Sequence, residues 1–193
     1  MGYKSLESCV TDLEKNGQLI RIKREVDPYL EMASIQLRAY EKGAAAILFE
    51  NVKGSKFRAL SNLFGDVDRS RFLFRDSMEM VQNIALLKKD PALALKNPLK
   101  YLSTPKHLFN ALPKKVSKRS AGMLETTIDQ LPQITCWKND GGPFVTLPIV
   151  YTEDADQPGW MKSNMGMYRI QLGGNEYIQN KEIGLHYQIH RGI

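Results

Sequence analysis

Residues 163–193, SNMGMYRIQLGGNEYIQNKEIGLHYQIHRGI, decide how this chain is read. Two of the three histidines in the protein, His186 and His190, fall here within five residues of each other. Arg169 and Arg191 stand among residues that otherwise read as β-strand. A turn at Gly173-Gly174-Asn175 splits the stretch into two arms. If the arms pair as a hairpin, Arg169 and the histidines come from neighbouring strands, with Asn164 opening the first arm. A guanidinium, two imidazoles and an amide oxygen gathered in this way suit an anionic ligand and a hard or borderline metal. Plainer readings stand beside that one. An exposed strand arginine is the norm, and a strand histidine is more often structural than a ligand, although the i, i+4 spacing puts both on one face. Asn164 also fits a turn after Pro158-Gly159, and the pair Met165 and Met167 fits core packing.

Upstream, LPQITCW at 131–137 alternates as a strand does, Asn139-Asp140-Gly141-Gly142 reads as a hairpin turn, and PFVTLPIVYT at 143–152 reads as the returning strand. Pro148 within it predicts an edge or a bulge. Cys136 has no base nearby in the sequence and is expected to be inert. Two hairpins make an unfinished barrel. Either a second copy supplies the missing edge or the chain is part of a longer protein, and the second is the expectation.

The first hundred residues read differently. Ser5 caps a helix with apolar Leu6, Cys9, Val10 and Leu13 at helical spacing, and Gly17 ends it. QLIRIKREV at 18–26 is a strand by its β-branched content. Asp27-Pro28 predicts an N-cap and first helical position, for a helix through Met32, Ile35 and Ala39 to Gly43. AAAILFEN at 44–51 is a buried strand, returning through the turn at 52–55 to FRALSNL at 57–63. A helix over 76–89 presents Met80, Val81, Ile84 and Leu87, after which Pro91, Pro98, Pro105 and Pro113 break the chain into short helical pieces. The fold class expected is α+β. An N-terminal α/β domain over 1–120 includes the proline-punctuated arm at about 76–118, and the strands of an unfinished β-barrel occupy 121–193.

Composition narrows the function classes. With 42% hydrophobic and 25% charged residues, the chain is neither fibrous nor disordered throughout. No apolar run approaches the ~18 residues of a membrane span, and no signal pattern opens the chain. Leu6 stands where a myristoylation motif needs Ser or Thr. Two distant cysteines, Cys9 and Cys136, predict free thiols in a cytoplasmic protein. The net charge of +6 is concentrated in residues 88–119, where nine Lys or Arg face the single acid Asp90. No aromatic ladder accompanies them, so a solvated face is expected and not a nucleic-acid site.

The segments SLESCVTDLEKNGQLIRIKREVDPYLEMASI, AILFENVKGSKFRALSNLFG, LPQITCWKNDGGPFVTLPIVYT and NMGMYR…GLHYQIHRG, in that order, resemble the UbiD family. These are the polyprenyl-hydroxybenzoate carboxy-lyases and related decarboxylases that use prenylated FMN. The resemblance implies that residues 121–193 are the first strands of a split β-barrel of FMN-binding type, and that the protein is a non-oxidative decarboxylase of aromatic or α,β-unsaturated acids, such as a polyprenyl-4-hydroxybenzoate in ubiquinone biosynthesis. It implies Arg169 as the catalytic arginine beside the flavin and the substrate carboxylate. Asn164 and His190 match metal ligands, with His186 an open alternative to His190. The metal is a divalent ion, manganese in the family's pattern, with potassium as a further ion. Asn164, Met167, Tyr168, Arg169, His186, Tyr187, Gln188, Arg191 and Gly192 match positions that contact the cofactor. A flavin prenyltransferase would supply that cofactor, a small carboxylic acid would be the substrate, and the full-length form would be a homo-oligomer. The same comparison puts a third metal ligand and the family's catalytic carboxylates beyond Ile193, so this chain alone is expected to be inactive. The rivals are a non-catalytic short form dimerising through an open β edge and an FMN-binding split-barrel reductase. No nicotinamide fingerprint supports the reductase.

Overall fold

The computed structural model describes residues 2–101 and 124–186. Two compact units form, and neither is one continuous stretch: Met1–Gln18 joins Phe64–Gly122, and Leu19–Leu63 joins Met123–Ile193. The boundary expected near 117–122 lies outside the described residues.

In the first unit, α1 (Leu6–Lys15) begins at Ser5, whose hydroxyl accepts from the Ser8 backbone N–H while Ser8 reaches back to the Ser5 N–H. This reciprocal cap satisfies two of the orphan donors of the first turn. Cys9, Val10 and Leu13 are the buried stripe. Helices α3 (Val67–Leu73), α4 (Arg75–Lys89), α5 (Leu93–Lys96) and α6 (Pro98–Tyr101) follow. Arg75 ties α4 to α1, donating to Asp12 Oδ2 at 2.7 Å and to the Tyr3 hydroxyl at 2.9 Å. Val81, expected on the inner side of α4, is exposed, while Met80, Ile84 and Leu87 are half-buried.

The second unit starts with a βαβ motif. Strand β1 (Leu19–Val26) runs parallel to β2 (Ala46–Val52), joined by α2 (Glu31–Glu41), and β3 (Ala59–Ser61) returns antiparallel to β2. Val26, Met32, Ile47, Phe49, Val52 and Ala59 form the core, with Ile134 packed against it from the later segment. The helix does not start at Pro28. Residues 28–30 are held by Thr135 instead: the Thr135 N–H donates to Pro28 O and the Leu30 N–H donates to Thr135 O. Asp27 consequently bonds the Tyr29 N–H as a turn residue and does not cap α2.

Residues 131–137 are not a strand either, making one isolated parallel bridge, Thr135 to Tyr29. Pro132 has no N–H to give a ladder, the Ile134 N–H turns back to Pro132 O, and the Gln133 amide bonds Ile128 O and Leu131 O. Across the turn at 139–142 one backbone bond forms, from the Phe144 N–H to Ile134 O at 2.7 Å, but no ladder develops between the two segments. Instead β4 (Phe144–Val145) pairs with β7 (Arg169–Gln171), and β5 (Ile149–Glu153) pairs with β6 (Ser163–Met167), all antiparallel. Between the Val145–Ile170 and Ile149–Met167 pairs, the first strand spends one residue more than the second. The extra residue falls at 146–148, so Pro148 marks a bulge where the ladder passes from one sheet to another. Strand β8 (Gly184–His186) completes the order β4-β7-β8. The link from β7 to β8 runs from 172 to 183, longer than the tight Gly-Gly-Asn turn expected. Met165 and Met167 face outward at 65% exposure each, and are not core residues among the described part of the chain.

Candidate functional site

Strand alternation puts Arg169 and Gln171 on one face of β7, with Ile170 on the other. The register sets Gln171 opposite Phe144 on one side and Gly184 on the other, and Arg169 opposite His186. Phe144 is 1% exposed and Gln171 is wholly buried, so a polar pair sits against an aromatic floor. The Arg169 guanidinium carbon lies 3.6 Å from the Phe144 ring centroid and 5.2 Å from that of Trp137. Partly shielded contacts of this kind stabilise by about 0.5–2 kcal/mol.

Asp140 grips the same guanidinium end-on. Nη1 donates to Oδ1 at 2.8 Å and Nη2 to Oδ2 at 2.5 Å. The Asp140 side chain is 9% exposed and that of Arg169 is 28% exposed, so water screens this pair less than a surface salt bridge. The hydrogen bonds from Arg169 hold the Asp140 carboxyl below the usual carboxylate range, against the opposing effect of burial. Asp140 in turn raises Arg169. Burial pushes the Cys136 thiol up, although Arg169 pulls it the other way, which keeps it protonated and unreactive.

Backbone places the aspartate. The two glycine turns cross so closely that a Cβ on Gly142 would sit 2.1 Å from Gly173 O, and one on Gly174 would sit 2.0 Å from Gly141 O. Gln171 stitches the crossing, its Nε2 donating to Gly173 O at 3.0 Å and Gly141 O at 3.4 Å. Its Oε1 lies 2.9 Å from His186 Nε2, and the imidazole stands edge-on to Phe144 at 5.1 Å.

Of the residues singled out by sequence, Arg169 and His186 meet on adjacent strands. Asn164 lies in the other ribbon, opposite Thr152 on β5. Its Nδ2 donates to the Tyr168 hydroxyl at 2.8 Å, which leaves Oδ1, an oxygen donor of the kind a hard divalent ion takes. Met167 pairs with Ile149, and Tyr168 bridges β6 and β7 with its ring against Gly166. Tyr187, Gln188, His190, Arg191 and Gly192 lie outside the described residues. Among the described residues no group of three or more His, Cys, Asp or Glu comes together to hold a metal. Asp140, Phe144, Trp137 and Gln171 were not legible as site residues. The faint signals were an acid flanked by Trp137 and Phe144, and a second polar residue two places from Arg169. An open hollow of about 670 Å³ lies by the β7–β8 link, lined by Asn175, Glu176, Tyr177 and Glu182. Its two carboxylates make it a poor seat for an anion.

Known proteins are similar to this chain over nearly its whole length. The evolved dimeric form of the UbiD-class enzyme HmfF from Pelotomaculum thermopropionicum, solved with prFMN, is similar at 25% identity and a TM-score of 0.63 over 96% of this chain and 39% of its own. Vanillic acid decarboxylase from Sedimentibacter hydroxybenzoicus, in an open form, is similar at 25% identity and 0.64, over 97% and 39%. A protein of Chlamydia pneumoniae named as a subunit of 4-hydroxybenzoate decarboxylase is 37% identical over 91% of this chain and 29% of its own length. A Chlamydia muridarum protein is 38% identical over 97% and 32%. The chain thus spans about a third of the length of the curated relatives it matches.

The mixed α/β architecture with small sheets is that of the UbiD-class enzymes. The chain belongs to the 3-octaprenyl-4-hydroxybenzoate carboxy-lyase family, whose N-terminal domain matches residues 10–88 and whose Rift-related domain matches residues 112–193. Among the described residues no helix is long and apolar enough to cross a membrane.

Proposed function

We propose that this chain is the N-terminal portion of a cytoplasmic, prenylated-FMN-dependent decarboxylase of aromatic or α,β-unsaturated carboxylic acids, with a polyprenyl-4-hydroxybenzoate as one acid of that class. The small sheets β4-β7-β8 and β5-β6 belong, in this reading, to a split barrel. The domain division is taken near residue 120. The observation that carries the proposal is Arg169: a guanidinium on an aromatic floor, partly shielded from water, with N–H donors beyond the two that Asp140 takes. An arginine in that setting orients a carboxylate through paired N–H donors, and positioning of this kind supplies much of the rate of a one-substrate reaction.

The donor set fits the cofactor and its metal. Asn164 Oδ1, left open by the bond from its Nδ2 to Tyr168, would serve as an oxygen ligand, and His190, with His186 as the alternative, would supply an imidazole. Met167, Tyr168, His186, Tyr187, Gln188, Arg191 and Gly192 are the proposed flavin contacts. Bound prenylated flavin supplies the electron sink for the charge left on carbon when CO₂ departs. Arg169 holds the carboxylate, Phe144 excludes water beneath it, and a proton donor from the family's further length completes the exchange. The share of the relatives that this chain covers supports that division of labour.

The test is CO₂ release from a panel of aryl and acrylic acids by the full-length protein reconstituted with prenylated FMN. Arg169→Ala is expected to lower turnover about 100-fold or more. Wild-type-like turnover in that variant would remove Arg169 from the chemistry, and NAD(P)H oxidation without CO₂ release would favour the reductase.

A further inference from the structure

We infer that Asp140 is a positioning residue that fixes the Arg169 guanidinium over the Phe144 ring and leaves the arginine's remaining donors to a substrate carboxylate. The inference rests on the decarboxylase reading of Arg169. Arginine carries five N–H donors; the end-on clamp takes one from each terminal nitrogen and the Cys136 thiol engages the same side chain, which still leaves N–H donors over. An aromatic face alone lets a guanidinium slide, because the attraction has little direction in the plane of the ring. A bidentate carboxylate sets its rotation as well.

What makes the clamp an anchor is the backbone beneath it. Asp140 opens the Gly141-Gly142 turn, and that turn is locked against Gly173-Gly174 by contacts that admit no Cβ. The Trp137 N–H donates to Asp140 Oδ2 at 3.3 Å, and the Asp140 N–H donates to Trp137 O at 3.1 Å. The Gln171 amide, itself wholly buried, reaches both turns. The aspartate is thus held by main chain from two directions, and the arginine is held by the aspartate. The opposite role, a latch competing with substrate for the same fork, predicts tighter benzoate binding in Asp140→Asn where the clamp predicts weaker.

The test uses protein loaded with prenylated FMN in five forms: wild type, Asp140→Asn, Asp140→Glu, Arg169→Gln, and Asp140→Asn with Arg169→Gln. Benzoate affinity is read by titration calorimetry, alongside kcat, KM and bound flavin. Asp140→Asn is expected to weaken benzoate binding about 10-fold and to lower kcat about 10- to 100-fold with flavin content unchanged. Asp140→Glu, which keeps the charge, recovers part of both and stands in should the asparagine variant fail to fold. In the Arg169→Gln background, adding Asp140→Asn changes benzoate affinity by no more than about 2-fold, because the aspartate acts through the arginine. A turn-building role alone would cost as much in that background as in wild type, and that result overturns the inference. So does tighter benzoate binding by Asp140→Asn, or no benzoate binding by wild type. If wild type binds benzoate with the expected coupling but releases no CO₂, the decarboxylase reading falls and the clamp stands.

Discussion

Replacing Gly174 by alanine places a Cβ 2.0 Å from the Gly141 carbonyl oxygen and 2.9 Å from the Gly142 Cα. Both obstacles are main chain, so no side-chain rotation relieves them. The residue also has φ +84, a left-handed conformation that costs an L-residue about 1–2 kcal/mol. Forcing extra volume into a filled space adds about 1–3 kcal/mol. Gly54 is the internal control: its φ is +77, yet nothing lies within 4 Å of its notional Cβ. Gly54→Ala therefore carries the conformational cost alone. Since a chain of this size loses roughly 2–4 °C of melting temperature per kcal/mol, Gly54→Ala should melt about 2–8 °C lower and Gly174→Ala about 4–20 °C lower. The assay is thermal unfolding followed by far-ultraviolet circular dichroism. Equal midpoints for the two variants would refute the backbone crossing, and with it the anchor proposed for Asp140.

Acid should uncouple the clamp. The Asp140 carboxyl is depressed in the folded state, so its stabilisation is present above the unfolded aspartate value and is lost as pH falls through the folded one. The stability gap between wild type and Asp140→Asn in urea should hold from pH 7 down to roughly pH 4 and close below it; a gap unchanged at roughly pH 2 contradicts the pairing. Gln171→Leu keeps the shape but strands the Gly173 carbonyl and the His186 ring nitrogen. It should cost about 1–3 kcal/mol by urea unfolding, and a neutral result would show that the buried amide does not hold the glycine turns together.

Much of the first hundred residues was legible because local chemistry decides it. Ser5 and Ser8 are three residues apart, and their mutual cap marks the start of α1 whatever lies elsewhere. The β-branched and apolar run at 46–52 and the turn after it contain their own instructions for β2 and its return to β3. The misread segments share one cause. Asp27-Pro28 has the form of a helix start, yet Thr135, more than a hundred residues away, pairs with 28–30 and delays the helix to Glu31. Residues 131–137 alternate like a strand, yet the same contact takes the N–H and C=O of Thr135 and the Ile134 N–H turns back to Pro132 O.

The sequence by itself determined most of the elements in the first hundred residues, the family and the presence of Arg169 among strand residues, because those follow from residue type, spacing and order. Only the tertiary structure decided what Arg169 touches. Asp140 is twenty-nine positions earlier and reads as a turn residue, because nothing in a turn's composition says which strand will lie beside it. Pairing across that distance is set by register, by a bulge at 146–148 and by two glycine turns that fit only without side chains. Those are properties of contact between remote backbones, and short-range pattern does not encode them.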